Sequence, residues 1–240
     1  MERTLQSDLQ HFYDLLARLA EQTSQGRQLA ELTGRLDWPR RGVYFFRENG
    51  EQRTACPATQ RVVRVGTHAV SANSKSTLWG RLRTHRGSRT GSGNHRGSIF
   101  RLHVGAALLA IDRCDHATWG VGSSAPKRTR LQEIELEQRV SATIGAMTVL
   151  WVEIPDEPGT DSARAIIERN SIALLSGKFA PLDSPSAHWL GRVSPREPIC
   201  RSGLWNLNYV ADSYDPRFLD ILESYVVPTG TRSACARSGT

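Results

Sequence analysis

Between residues 4 and 22 the apolar positions Leu5, Leu9, Phe12, Leu16 and Leu19 recur every three or four residues, the spacing of one helix face. A second short helix is predicted over 27–35, and Trp38-Pro39 ends the pattern. The pair reads as a helical N-terminal extension whose stripe is most simply core, with a dimer contact as the second reading. The period then changes. Residues 42–47 (GVYFFR) and 61–67 (RVVRVGT) are β-rich runs, and Asn49-Gly50 favours a sharp reversal between them. The intervening segment is too long for a two-residue hairpin, so a longer loop is expected. Residues 76–86 (STLWGRLRTHR) read as a helix with Ser76 as N-cap. Its Leu78, Trp79 and Leu82 face a core, while Arg81 and His85 stand four apart on another face. Further helices are predicted over 97–111, 129–144 and 162–176, the last entered through Asp161-Ser162 and closed by Gly177. Residues 147–154 (MTVLWVEI) are predicted as a buried strand, 214–226 contain a short helix, and the last dozen residues are expected to be disordered.

With 240 residues, the chain is long enough for one sizeable domain, or one domain with helical additions. Its 39% apolar and 23% charged content is that of a soluble globular protein. No apolar run approaches the ~18 residues of a membrane span, and residues 1–12 lack the apolar core of a signal peptide. A cytoplasmic protein with no membrane partner is expected. Cys56, Cys114, Cys200 and Cys235 show no CxxC spacing, which argues against a zinc site or a disulfide framework. The net charge of +7 says less than its placement. From Arg81 to Arg101 there are six arginines, two histidines and no acidic residue, a run suited to phosphate. The Gly/Ser/Arg-rich stretch 87–96 within it is expected to be mobile.

The order β, β, α, long insertion, β, α places Gly42-Val43-Tyr44 on the first run and Arg64-Val65-Gly66 on the second. This resembles the GIY-YIG nuclease family over about 42–86 and 147–177. Arg64 departs from the family's second tyrosine. LWGRLRTH resembles the helix carrying the family's arginine, here Arg81, and ARAIIERNSIALL resembles the helix carrying its metal-binding glutamate, here Glu168. His85, four residues after Arg81, matches the restriction-endonuclease-like branch. The resemblance implies an α+β fold with a small mixed sheet flanked by helices. The corresponding division is 1–36 as N-terminal extension, 37–225 as nuclease domain with a basic insertion at 87–146, and 226–240 as flexible tail. It implies a divalent-metal-dependent endonuclease acting on DNA with Mg²⁺ or Mn²⁺, in restriction or host defence, with a homodimer as the assembly considered. The alternatives are a degenerate nucleic-acid-binding module and a structure-specific repair nuclease.

The chemistry is consistent with those roles. Phosphodiester hydrolysis needs an activated water, neutralisation of the developing charge and help for the leaving oxygen. Glu168 would hold the metal, since Mg²⁺ takes only one or two protein carboxylates. Arg81 would grip the scissile phosphate through its guanidinium fork. Tyr44 would take a proton from water, with Arg64 and Arg81 favouring the phenolate, and His85 would relay that proton. Matching positions on adjacent strands would bring Tyr44 and Arg64 together, with Gly42 and Gly66 leaving room for a phosphate backbone. His68, Arg83, Arg86, Arg89 and Arg96 are the candidate DNA contacts. Asn170 and Asn206 are both candidates for an asparagine near the metal, and spacing decides neither. His95, His103, His116 and His188 have no ligand spacing and read as structural or surface residues.

Overall fold

The computed structural model describes residues 4–23, 26–71 and 74–235. Its three strands are β1 (Gly42–Gln52), β2 (Gln60–Gly66) and β3 (Thr148–Glu153), in the order β2-β1-β3. Both pairings are antiparallel, so the α+β class holds and the sheet is antiparallel throughout. Alternation along β1 divides the interior. Val43 and Phe45 face one apolar cluster, built with α1 (Leu5–Thr23), α6 (Ala163–Ser176) and α8 (Phe218–Cys235). Tyr44 and Phe46 face the other, built with α2 (Leu78–Arg86), α3 (Ile99–Asp112) and α5 (Ile134–Gly145). The N-terminal stripe is core: Phe12, Leu15, Leu16 and Leu19 are fully buried in the same cluster as Val43 and Val152.

Several local expectations change. Asn49-Gly50 does not turn the chain. β1 runs on to Gln52 with a register shift after Arg47, and Gly50 takes the positive φ (+86°) that this irregularity needs. The reversal comes at 53–59, where Arg53 N–H donates to the Thr59 carbonyl. Residues 27–35 contain only a 3₁₀ turn at Leu29–Glu31, because Leu29 N–H donates to Met147 and ties the segment to the start of β3. Thr77, not Ser76, caps α2, its hydroxyl accepting Gly80 N–H. The predicted 129–144 helix is two pieces, α4 (Lys127–Gln132) and α5, separated at Glu133. α7 (Glu197–Ser202) is short. α8 continues through Cys235, so most of the segment expected to be disordered is helical, and residues 236–240 lie outside the described residues.

The insertion is packed structure. Arg101 is fully buried, and its guanidinium donates to the Glu137 carboxylate, to the His85 carbonyl (2.9 Å) and to Ser141 Oγ (2.9 Å). Glu137 also accepts His95 N–H (2.6 Å). The 87–96 stretch folds over this pair, with Ser88 N–H on the Ser92 carbonyl. Gly93 is required there, since a Cβ would fall 1.9 Å from Arg101 Nη2. Breaking a buried pair strands its other charge. Glu137→Ala is therefore expected to lower unfolding stability by about 3–5 kcal/mol in urea titrations. Glu197→Ala, which removes the exposed partner of Arg201, should cost under about 1 kcal/mol.

Candidate active site

β1 and β2 set the first distances. Tyr44 stands opposite Gly66, and Phe46 opposite Arg64. Tyr44 and Arg64 are thus diagonal neighbours on one face rather than a directly opposed pair. The two glycines serve the protein, not a phosphate. A Cβ on Gly66 would fall 2.4 Å from Tyr44 Oη, and one on Gly42 would fall 2.3 Å from the Val152 carbonyl oxygen. Gly66 makes room for the tyrosine ring, and Gly42 lets β3 approach.

His85, on the last turn of α2, is fully buried. Its Nε2 lies 2.8 Å from Tyr44 Oη and its Nδ1 2.7 Å from Ser98 Oγ. Burial holds its pKa well below the usual imidazole range, and Arg64, Arg81 and Arg101 push the same way. The ring is neutral. Arg81, one turn earlier, is half-buried and has no carboxylate partner among the described residues; its Nη1 lies 3.5 Å from the Gly97 carbonyl. Arg64 donates to the Trp205 carbonyl (2.6 Å), its guanidinium sits 4.7 Å over the Phe100 ring, and its Nε has no partner. Burial lowers its pKa, with Tyr44 and Glu168 opposing and Arg81 adding to the shift.

Arg64 is the exception among the buried arginines. Arg53 pairs with Asp183, Arg61 with Glu51, Arg101 with Glu137 and Arg164 with Asp156. Among the described residues Arg64 alone of the five has no ion-pair partner. Of these five fully enclosed arginines, the one without a carboxylate stands beside Tyr44.

Glu168, half-buried on α6, accepts Thr67 N–H at Oε1 (3.0 Å). Thr67 in turn donates its hydroxyl to the Gly42 carbonyl, which ties this corner to β1. Burial raises the Glu168 pKa, opposed by the Thr67 N–H, Arg64, Arg81 and Arg164. No cluster of three or more metal-ligating side chains occurs among the described residues. Glu168 Oε2 nonetheless accepts no hydrogen bond there, and one carboxylate suits a cation that keeps its waters and shares a substrate phosphate.

Other candidates fall elsewhere. His68 is buried with Nδ1 3.2 Å from the Ser76 carbonyl, so Nδ1 carries the hydrogen and the unpartnered Nε2 a lone pair. Burial, then Arg164, pushes its pKa down to about 4; a neutral ring in this tautomer has no donor for phosphate. Arg96 is spent on Glu133 (2.7 and 2.8 Å) and on the Val121 and Thr118 carbonyls. Arg86 donates to the Leu32 carbonyl and lies 5.1 Å over the Trp79 ring. Arg83 and Arg89 are exposed. Asn170 binds the Ile166 carbonyl and Asp215 N–H, and Asn206 clamps both backbone groups of Val65; both are structural. His95 is bound to Glu137. Ser98 and Thr67 are the site residues that sequence reasoning missed. Ser98 could have been found as the N-cap of α3 had that helix been started two residues later.

A family model described as a GIY-YIG domain matches residues 3–232. The chain belongs to the GIY-YIG family. No curated protein and no solved structure gives a significant match. The family match spans the N-terminal helix and the whole insertion as well as the sheet. Membership indicates a nuclease-type function for this GIY-YIG protein, and no described helix is long and apolar enough to cross a membrane.

The buried histidines make stability acid-sensitive. His68, His85 and His103 all have lowered pKa values, to about 4 for His68 and His103. The folded state then binds fewer protons than the unfolded chain. Their contribution is complete above the ordinary histidine value of about 6.5 and is lost as pH falls through the 6.5-to-4 window. Thermal midpoints should fall between pH 7 and pH 5, and calorimetric unfolding near pH 5.5 should take up protons. A flat midpoint across that range would contradict neutral burial.

Proposed function

We propose that this GIY-YIG protein is a divalent-metal-dependent endonuclease that hydrolyses DNA phosphodiester bonds. The observation that carries the reading is the juxtaposition of a histidine-bound tyrosine with cations that lack a carboxylate. Tyr44 is held by His85 (2.8 Å), next to Arg64 and one helical turn from Arg81, with a single carboxylate, Glu168, responding to the same two arginines. A surface that only bound nucleic acid would gain nothing from an acidic residue facing phosphate.

In this reading Arg81 accommodates two oxygens of the scissile phosphate, its fork being free of protein carboxylates. The Tyr44 oxygen accepts a proton from water as the water oxygen attacks phosphorus, and its own hydrogen passes to a phosphate oxygen. Arg64 supplies fixed positive charge at the same face, where it stabilises the extra charge of the pentavalent state. A divalent cation held by Glu168 would neutralise phosphate charge and assist the departing oxygen. Arg83 and Arg89 are the backbone contacts, reduced from five candidates because His68, Arg86 and Arg96 are engaged within the protein. The Arg81/His85 spacing favours a setting in restriction or host defence.

The test is nicking of supercoiled plasmid with Mg²⁺, Mn²⁺ or EDTA. Tyr44→Phe keeps the ring over Gly66 and removes only the hydroxyl. It should lower the rate by about 10²–10⁴-fold; a loss under about threefold would return Tyr44 to packing.

Glu168→Gln should abolish nicking and preserve the gel shift. It also has a readout without DNA. A carboxyl with a raised pKa stabilises the fold least above that pKa and most below the unfolded value of about 4.3. The glutamine variant should therefore melt above wild type at pH 8, with the gap closing toward pH 4. Wild-type nicking by this variant would remove Glu168 from the metal role.

Arg83→Ala with Arg89→Ala should weaken binding to all sequences alike and reduce the slope of log affinity against log salt by about two units. Thermal stability should not change, since both side chains are exposed. An unchanged slope would place this edge away from DNA.

A further inference from the structure

Ser98 stands immediately before α3, 1% exposed, and serves two neighbours. Its Oγ accepts Arg101 N–H (3.3 Å) as the helix N-cap, and the same oxygen lies 2.7 Å from His85 Nδ1. His85 Nε2 then meets Tyr44 Oη at 2.8 Å. The three side chains form a line of two hydrogen bonds. They carry three hydrogens between them: one on Ser98, one on the neutral imidazole and one on Tyr44. Two links use two of these, so the third must fall at one end.

The ends are not equivalent. If His85 Nδ1 holds the ring hydrogen, Ser98 accepts twice, from Nδ1–H and from Arg101 N–H. Its own hydrogen is then left without an acceptor in an enclosed position. A buried donor with no partner is destabilising. If Nε2 holds it, Ser98 donates to Nδ1 and Nε2–H donates to Tyr44. The spare hydrogen then falls on Tyr44, which is as little exposed (1%) but lies beside Arg64 and the half-buried Arg81, the side from which a phosphate oxygen would take it.

We propose that Ser98 is a positioning residue that donates to His85 Nδ1, fixes the Nε2–H tautomer and thereby makes the Tyr44 oxygen a hydrogen-bond acceptor. The direction of the relay is the reverse of proton uptake by His85: the imidazole steadies the tyrosine oxygen, which takes the proton of water as its own hydrogen passes to a phosphate oxygen. The role rests on the endonuclease reading only for its catalytic consequence. The tautomer is a property of the folded protein alone.

The test is nitrogen NMR of imidazole-labelled protein without DNA or metal, with the His85 signals assigned by their loss in His85→Gln. Wild type should show a protonated Nε2. Ser98→Gly removes the hydroxyl while retaining most of the helix cap, so an effect on His85 is separable from loss of α3. This variant should lose the Nε2–H preference and nick at least about tenfold more slowly, within the range an acid–base group is worth. Ser98→Thr should restore both. A protonated Nδ1 in wild type, or an unchanged tautomer in Ser98→Gly, overturns the proposal. Wild type that shows protonated Nε2 but nicks no DNA supports the tautomer and overturns the endonuclease reading.

Discussion

The Arg101–Glu137 ion pair is the constraint on which the candidate active site depends. A guanidinium with no exposure must have its donors met inside the protein. Arg101 meets them on Glu137, Ser141 and the carbonyl of His85. That carbonyl belongs to the last turn of α2, where a helix leaves acceptors unfilled and favours a cation. Three residues earlier, Ser98 holds the imidazole of the same histidine. The N-terminus of α3 therefore grips His85 by both backbone and ring. Gly93 gives the guanidinium its space. The insertion is a buttress for one histidine before it is anything toward DNA.

Four of the five fully enclosed arginines among the described residues follow one rule. Arg53, Arg61, Arg101 and Arg164 are each matched to a carboxylate, and a matched buried pair contributes little net stability while fixing geometry. Arg64 breaks the rule and bears a desolvation cost that a carbonyl, an aromatic face and the nearby Tyr44 and Glu168 offset without an ion pair. Its neighbour Arg81 is also without a carboxylate, and burial disfavours the charge on Glu168. The site is thus held short of negative charge. An arriving phosphate, and a cation on Glu168, would each relieve what the free protein tolerates.

The three strands and the helices that carry Arg81, His85 and Glu168 were legible from local pattern, alternation for β1 and β2 and a three-to-four period for α1, α2 and α6, while the residues themselves were picked out by the family resemblance and the expected mixed sheet is antiparallel. The basic run was not legible as structure. Six arginines within 21 residues look alike in sequence. They are distinguished only by acids 36 and 37 positions away, Glu137 for Arg101 and Glu133 for Arg96. The roles of Gly42 and Gly66 were misread for a related reason. A glycine records that something comes close, and register decides whether it is a ligand, a strand or a tyrosine ring. Asn49-Gly50 carried a true signal for positive φ, but a bulge used it instead of a turn.

Position 64 shows how the C-terminal half is coupled to the site. The outer edge of β2 would expose unpaired backbone groups. Trp205 N–H covers the Val63 carbonyl, and Asn206 takes both polar groups of Val65 through its side-chain amide. Between these two clamps the Trp205 carbonyl is left facing the sheet, and Arg64 is the residue that uses it. Arg61 uses the Gly203 carbonyl in the same way, three residues back along β2. An arginine at 64 therefore comes with a segment, 203–206, that supplies its acceptor and covers its strand. The departure from the family's tyrosine is thus supported by backbone more than 130 residues away, and the C-terminal half is part of what holds position 64 in place.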